Sequence, residues 1–343
     1  MTGDFAALPD LASRVLGASV VYATDELFAD RENLIRPEPA VSSTAFGNKG
    51  KVYDGWETRR RREPGHDAAV VRLGAPGIVR GVVVDTTFFR GNYPPQVSVE
   101  ATSVEGYPSP AELQASSWET IVDRSAVAGD AANRYSVESD RRWTHVRLSI
   151  YPDGGVARFR VHGEVVPDPR FLTGTVDLAA LENGGTVVDC SDMFYSSPVN
   201  LILPGRARSM AEGWENARRR DDGHDHVTLR LAAPGRVRAV VVDTSYFVGN
   251  APGWIRVCAA DSRDVSIDDP AGWVEVVPPT RTQPDTRHHL LVEPGPTVTH
   301  IRLDVYPDGG LSRLNVHGEI EPAALDELHR RWQAVLPAGH ARF

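Results

Sequence analysis

The sequence reads as an all-β chain made of two tandem copies of one antiparallel β-sandwich of jelly-roll type, with few helices, one of them near the C-terminal end. Three observations lead there. Long stretches of the first half recur in the second, apolar residues within them alternate with polar ones, and the stretches end in turns rich in Gly and Pro.

The duplication is plain at three places. "LASRVLGASVVYATD" (11–25) aligns with "LAALENGGTVVDCSD" (178–192), and "VVVDTTFFRGNYP" (82–94) with "VVVDTSYFVGNAP" (240–252). The closest pair is "THVRLSIYPDGGVARFRVHGE" (144–164) with "THIRLDVYPDGGLSRLNVHGE" (299–319). Strands are retained while loops drift in length, which divides the chain into copies at 1–166 and 175–343 joined by a linker at 167–174.

Within each copy the period is that of strands. In "THVRLSIY", Val146, Leu148 and Ile150 alternate with His145, Arg147 and Ser149, so one face is expected to be buried and the other polar. "YPDGG" follows. Pro152 presets a turn and Gly154 and Gly155 tolerate positive φ, so the chain is expected to reverse there into a hairpin. On the return, Ala157, Phe159 and Val161 should face inward and Arg158, Arg160 and His162 outward. The valine runs of 77–86 and 236–244 suit central strands, giving several short strands per copy. The clearest helix is 322–336: Pro322 opens it, and Leu325, Leu328, Trp332 and Val335 make one apolar stripe, expected to pack on the second sandwich or on a neighbouring subunit.

Bulk properties narrow the class of function. The 343 residues hold 37 basic and 46 acidic side chains, a formal charge of −9 that opposes general attraction to nucleic acid or to an anionic membrane. Cys190 and Cys258 form no disulfide framework and no zinc spacing, which fits a reducing cytoplasm. The start of the chain has neither the basic residues nor the apolar stretch of a secretory signal, and no segment approaches the roughly 20 apolar residues of a membrane span. Glycine-rich phosphate loops, Walker motifs and Gly-x-Ser-x-Gly are not found in it.

The groups able to do chemistry cluster in "GWETRRRREPGHD" (55–67), repeated as "GWENARRRDDGHD" (213–225). A loop on a rigid sandwich is where sites are built, although an Arg run also suits a salt-bridged surface. The copies differ where Thr58 and Arg59 become Asn216 and Ala217, and where Arg90 becomes Val248. Such differences point to specialised roles in the first copy. Arg59 and Arg61 project on one side of an extended segment, and a guanidinium fork suits a small carboxylate. His66 can exchange a proton near neutral pH beside Asp67, which can orient it or activate water; equally, the two can cap a turn and begin a strand. At the end of a buried strand stand Asp85, Arg90 and Asn92. The "HGE" ends, His162 to Glu164 and His317 to Glu319, offer two donors each, fewer than the three or more protein ligands of an ordinary metal site.

Together and in this order, the Trp-Glu-Thr-Arg-Arg, Pro-Gly-His-Asp and Val-Asp-Thr…Gly-Asn segments of 50–94 strongly resemble the signature region of the allantoicase (allantoate amidinohydrolase) family, and the likeness extends over nearly the whole chain. It departs from the family at "RRRRE", where a Lys often stands among the arginines. The resemblance implies two galactose-binding-like jelly rolls, a homo-oligomer, and hydrolysis of allantoate to ureidoglycolate and urea in purine breakdown. Allantoate carries one carboxylate and two ureido groups on a single carbon. Its hydrolysis needs an anion clamp, for which Arg59, Arg61 and Arg90 are candidates, and ureido recognition, for which Asn92 and Glu57 are. His66 with Asp67 or Asp85 is expected to move the proton to the departing urea nitrogen, with Glu57 counted among the catalytic groups. No cofactor is assigned from these groups; a divalent ion is compatible with them, with no ligand set assigned. A tandem carbohydrate- or ligand-binding module without turnover is the other reading of the same sandwiches, but such modules offer exposed aromatic platforms where these loops offer Arg, His, Asp and Asn.

Overall fold

The computed structural model describes residues 4–342, so the outermost positions of the two expected copies, 1–3 and 343, lie outside the described residues. The chain divides into two compact units, one of Met1–Val166 with Trp332–Phe343 and one of Pro167–Arg331.

Seven strands make the frame of the first unit: β1 (Ser19–Ala23), β2 (Asp67–Asp85), β3 (Gln96–Thr102), β4 (Glu119–Ala126), β5 (Ala132–Ser136), β6 (Arg142–Tyr151) and β7 (Arg158–Val165). All pairings among them are antiparallel. The second unit repeats the set as β8 (Thr186–Cys190), β9 (Asp225–Asp243), β10 (Trp254–Ala260), β11 (Val274–Arg281), β12 (Arg287–Leu291), β13 (Val298–Tyr306) and β14 (Arg313–Ile320).

The expected run of short strands is interrupted by one long one. β2 is a single strand of 19 residues that serves both layers. Its first part pairs with β1 and β6, and its last part, from Gly77 on, with β7 and β5. The change of layer falls at "GAPG" (74–77), where Pro76 has no N–H to donate and a Cβ on Gly77 would sit 2.1 Å from the Glu164 carbonyl. β9 repeats this, pairing first with β8 and β13 and then with β14 and β12.

This topology corrects the reading of "YPDGG". It does not close a hairpin, because β6 pairs mainly with Asp67–Arg72 of β2, reaching Gly77 and Ile78 only at its start, while β7 pairs with the stretch from Gly77 to Asp85, and the two do not pair with each other. The turn carries the chain from one sheet to the other, and Gly155–Val156 pairs on the way with Trp56–Glu57. That short ladder ties the "GWE" segment to the turn at the rim of the sandwich.

Between the layers lie Val97, Val99, Val146, Leu148, Ile150, Val82, Val84, Phe159 and Val161, as the alternation requires. Burying each is worth roughly 1.5–3 kcal/mol for side chains of this size. The opposite faces are less polar in setting than expected. His145 and Ser149 are buried, and Arg158, expected outside, is 1% exposed. Its guanidinium is satisfied by the carbonyls of Glu38, Asp54 and Ala157 and by the Asp54 carboxylate at 2.8 Å. A buried cation survives because every donor has a partner. Arg313 in the second unit likewise donates to the carbonyls of Gly205, Glu212 and Ser312.

Among the described residues there are two α-helices, α1 (Pro110–Ala115) and α2 (Pro322–Ala334). The apolar stripe of α2 is half-buried, as its spacing predicts. Its end belongs elsewhere than expected: from Trp332 onward the chain is part of the first unit. There the Arg142 guanidinium lies 5.8 Å from the Trp332 ring centre, and Ala341–Arg342 pairs in parallel with Val104–Glu105. Cys190 and Cys258 are free thiols, and no helix among the described residues is long and apolar enough to cross a membrane.

Candidate functional site

Three segments meet at the rim of the first unit: the run from Trp56 to Asp67, the loop after β2, and the turn after β6. Trp56 anchors them. It is fully buried, and its indole N–H donates to the Asp25 carbonyl at 2.7 Å. From that anchor the chain presents Glu57, whose Oε1 accepts from Asn92 Nδ2 at 2.7 Å. Burial pushes the Glu57 carboxyl above its usual value, and the Asn92 hydrogen bond offsets only part of this. Thr58 is buried and accepts from the Gly154 N–H at 3.2 Å.

Next comes the arginine run, in which alternate residues face different partners. The Arg59 amide and its Nε both reach the Asp25 carboxylate at 2.7 Å, while its side chain is 64% exposed. Burial works to raise the Asp25 carboxyl, but the amides of Arg59 and Leu27 and the Arg59 guanidinium outweigh it and hold the group low. Arg61 donates its amide to Asp153 Oδ2 at 2.7 Å and its Nη1 to Asp67 Oδ1 at 2.8 Å. Asp67, 2% exposed, also accepts from Thr24 Oγ1 at 2.9 Å, and its Oδ2 has no hydrogen-bond partner among the described residues. Arg60 is exposed and makes no ion pair or hydrogen bond with a described residue.

The structure thus joins Glu57 to Asn92 and Arg61 to Asp67. Asp85, by contrast, spends its Oδ1 on the amide of Thr87 at 2.8 Å, inside its own loop. Arg90 is 79% exposed and paired with Asp130 at 2.9 Å. His66 is exposed, with its ring 4.8 Å from that of Tyr151. It lines a cavity of about 560 Å³ on the outer face of the β1–β2–β6–β3–β4 sheet, shared with Ser98, Glu100, Trp118, Arg147 and Tyr151, whereas Glu57 and Asn92 do not border it.

Asp25, Arg60 and Asp153 were not among the residues singled out from the sequence. A signal existed for all three. Asp25 recurs as Asp192, Arg60 as Arg218 and Asp153 as Asp308, while the positions chosen for differing between copies, Arg59 and Arg90, are those already engaged by carboxylates.

The second unit repeats the geometry. Asn250 Nδ2 donates to Glu215 at 2.6 Å, the Arg219 amide to Asp308 at 2.7 Å, and the Arg219 guanidinium to Asp225 at 3.0 Å. Glu215, Arg218 and Asn250 line one cavity of about 600 Å³. At the opposite corner His224 stacks on Tyr306, 4.5 Å away, and lies 3.3 Å from Asp304, which Arg256 and Arg302 also engage. The two "HGE" ends are occupied locally: His162 Nδ1 meets the Leu8 carbonyl, Glu164 pairs with Arg80, and Glu319 with Arg238. Among the described residues no three His, Cys, Asp or Glu side chains are grouped to hold a metal ion.

Residues 9–166 and 176–321 each match the Allantoicase repeat family. The chain is 53% identical over 321 residues to a probable allantoicase of Nocardia farcinica, covering 92% of this chain and 95% of the relative. It is 50% identical over 346 residues to a probable allantoicase of Streptomyces coelicolor, covering 96% and 90%. The solved structure of allantoicase from Saccharomyces cerevisiae superposes with a TM-score of 0.77 at 34% identity, over 91% of this chain and 93% of that one.

Proposed function

The chain belongs to the allantoicase family, and from that premise we propose where on it the chemistry takes place. The reaction is hydrolysis of a carbon–nitrogen bond in allantoate, giving ureidoglycolate and urea in allantoin degradation. The site is the rim of the first unit, with Glu57 as proton donor and acceptor, Asn92 as the group that orients it, and Arg60 as the carboxylate clamp.

The single observation that carries this reading is the half-buried Glu57–Asn92 pair. Burial favours the protonated carboxyl, which is the form able to give a proton to a leaving nitrogen. Asn92 occupies Oε1 and leaves Oε2 for that proton. Arg60, like Arg62, is not bound to a carboxylate of a described residue, and its counterpart Arg218 shares a cavity with the equivalent Glu215 and Asn250. Arg61, Asp67 and Asp153 hold the loop in place.

With allantoate held by its carboxylate, Glu57 protonates the ureido nitrogen on the central carbon. The C–N bond breaks with its electron pair going to that nitrogen, and urea departs. The lone pair of the remaining ureido nitrogen forms a C=N bond to the carbon. Water then adds to the carbon, giving its proton to Glu57 and leaving ureidoglycolate. Atoms and charge balance over the cycle.

Urea release by Glu57→Gln is the test. The amide keeps shape and the Asn92 contact but cannot transfer the proton, so turnover should fall by about 10²-fold or more with folding intact. Near-normal turnover would reject the assignment. Assays with and without a chelator separate a metal-assisted route from this one. Homo-oligomeric assembly and residence in the cytoplasm remain part of the reading, the latter supported by the free thiols; light scattering on the purified protein tests the former.

A further inference from the structure

The buried rim position that follows the catalytic-type glutamate differs between the units: Thr58 in the first, Asn216 in the second. Thr58 is satisfied by the Gly154 backbone. Asn216 is 4% exposed, and its Oδ1 accepts the equivalent Gly309 N–H at 2.8 Å. That bond fixes which end of the amide is which. Its Nδ2 is left buried with no hydrogen-bond partner among the described residues. An orphaned buried donor is costly, and native proteins keep few of them.

Asn216 lines the cavity of about 600 Å³ that also holds Glu215, Asn250, Arg218 and Arg220. This size is ordinary for a small-ligand site. Neither Arg218 nor Arg220 makes an ion pair or hydrogen bond with a described residue, so two residues with unengaged guanidinium groups line the same cavity as Asn216. Arg219, between them, is occupied by Asp221 and Asp225.

We infer that the rim cavity of the second unit is a binding site in its own right for a small carboxylate bearing a ureido group. Arg218 and Arg220 take the carboxylate, Asn216 Nδ2 donates to the ureido carbonyl, and Glu215 accepts from the ureido N–H groups. The ligand class follows the proposed reaction, whose substrate and product are both ureido carboxylates; the location does not depend on where catalysis takes place.

The test is titration calorimetry of the full chain with N-carbamoylglycine, a carboxylate with one ureido group and none to expel. Two equivalents per chain are expected. Asn216→Thr, which installs the satisfied residue of the first unit, should weaken one of them by about 10-fold or more, and Arg218→Ala should do the same. Melting curves check that both variants fold. One equivalent per chain in the unaltered protein, no binding at millimolar probe, or two equivalents untouched by both variants would each overturn the inference. The double variant Glu57→Gln/Arg60→Ala reports separately on the first rim: full turnover there would sink the proposed catalytic assignment while leaving the effect of Asn216→Thr on binding to decide the second site.

Discussion

Asn92 donates its side-chain amide to Glu57 at 2.7 Å, across 35 positions of sequence, and in doing so selects which carboxylate oxygen stays free. The same bond recurs between Asn250 and Glu215 at 2.6 Å. In the proposed reaction Asn92 acts as a positioning residue for Glu57. Its hydrogen bond favours the charged carboxylate, so removing it leaves burial unopposed and drives the Glu57 carboxyl still higher. Asn92→Ala should lower kcat by about 10-fold and move the alkaline limb of the kcat–pH profile upward. A profile that keeps its limb in place would show that the pair does not govern the proton.

Arg60 and its neighbours should separate in kinetics. If Arg60 clamps the substrate carboxylate, Arg60→Ala removes a charge-assisted bidentate contact worth on the order of 10²-fold in KM. Arg59→Ala and Arg90→Ala break exposed pairs with Asp25 and Asp130 and should change KM by less than about 3-fold. The reverse ranking would return the clamp to the residues first expected from the sequence.

His66 borders the outer-face cavity and not the Glu57–Asn92 pair. If the proton moves through Glu57, His66→Ala should leave kcat within about 10-fold of the unaltered protein. A loss of about 10²-fold or more would instead make the imidazole the proton carrier.

Arg158 should matter to stability alone. Arg158→Ala would leave the Asp54 carboxylate with only the Val41 amide and the longer Arg36 pair, and would strand three or more carbonyls that now receive its donors, at about 3–5 kcal/mol. Chemical denaturation measures this directly. A loss below 1 kcal/mol would mean that water takes over the vacated positions.

His145 makes stability depend on pH. In the unfolded chain its ring takes up a proton near pH 6.5; in the fold, burial and then the charge of Arg72 push it down to about 4. Between those values the unfolded state binds more protons, so the stabilisation present above pH 6.5 is lost as pH falls toward 4, about 3 kcal/mol in all. Unfolding free energy measured across this window should fall less steeply in His145→Asn. Parallel slopes would count against it.

Much of the architecture could be read from the chain because duplication and period-2 alternation are local patterns. Val146, Leu148 and Ile150 declare a buried face by spacing alone, and the recurrence of "VHGE" and "YPDGG" declares a second copy. The pairing of strands is another matter. "YPDGG" has the composition of a hairpin turn, yet whether the strands beside it pair depends on β2 being long enough to serve both sheets, a fact of distant hydrogen bonding.

The site divides along the same line. Sequence by itself determined the family, the tandem sandwiches and the residue types at the rim, since these depend on which side chains are present and in what order. Tertiary structure alone decided which of those side chains are free. Asp25 and Asp130 neutralise Arg59 and Arg90, and Asn92 reaches Glu57 only because a loop after one strand folds against a segment before it. A charge becomes available for chemistry according to what lies within about 4 Å of it, and that distance is set by the fold and not by position along the chain.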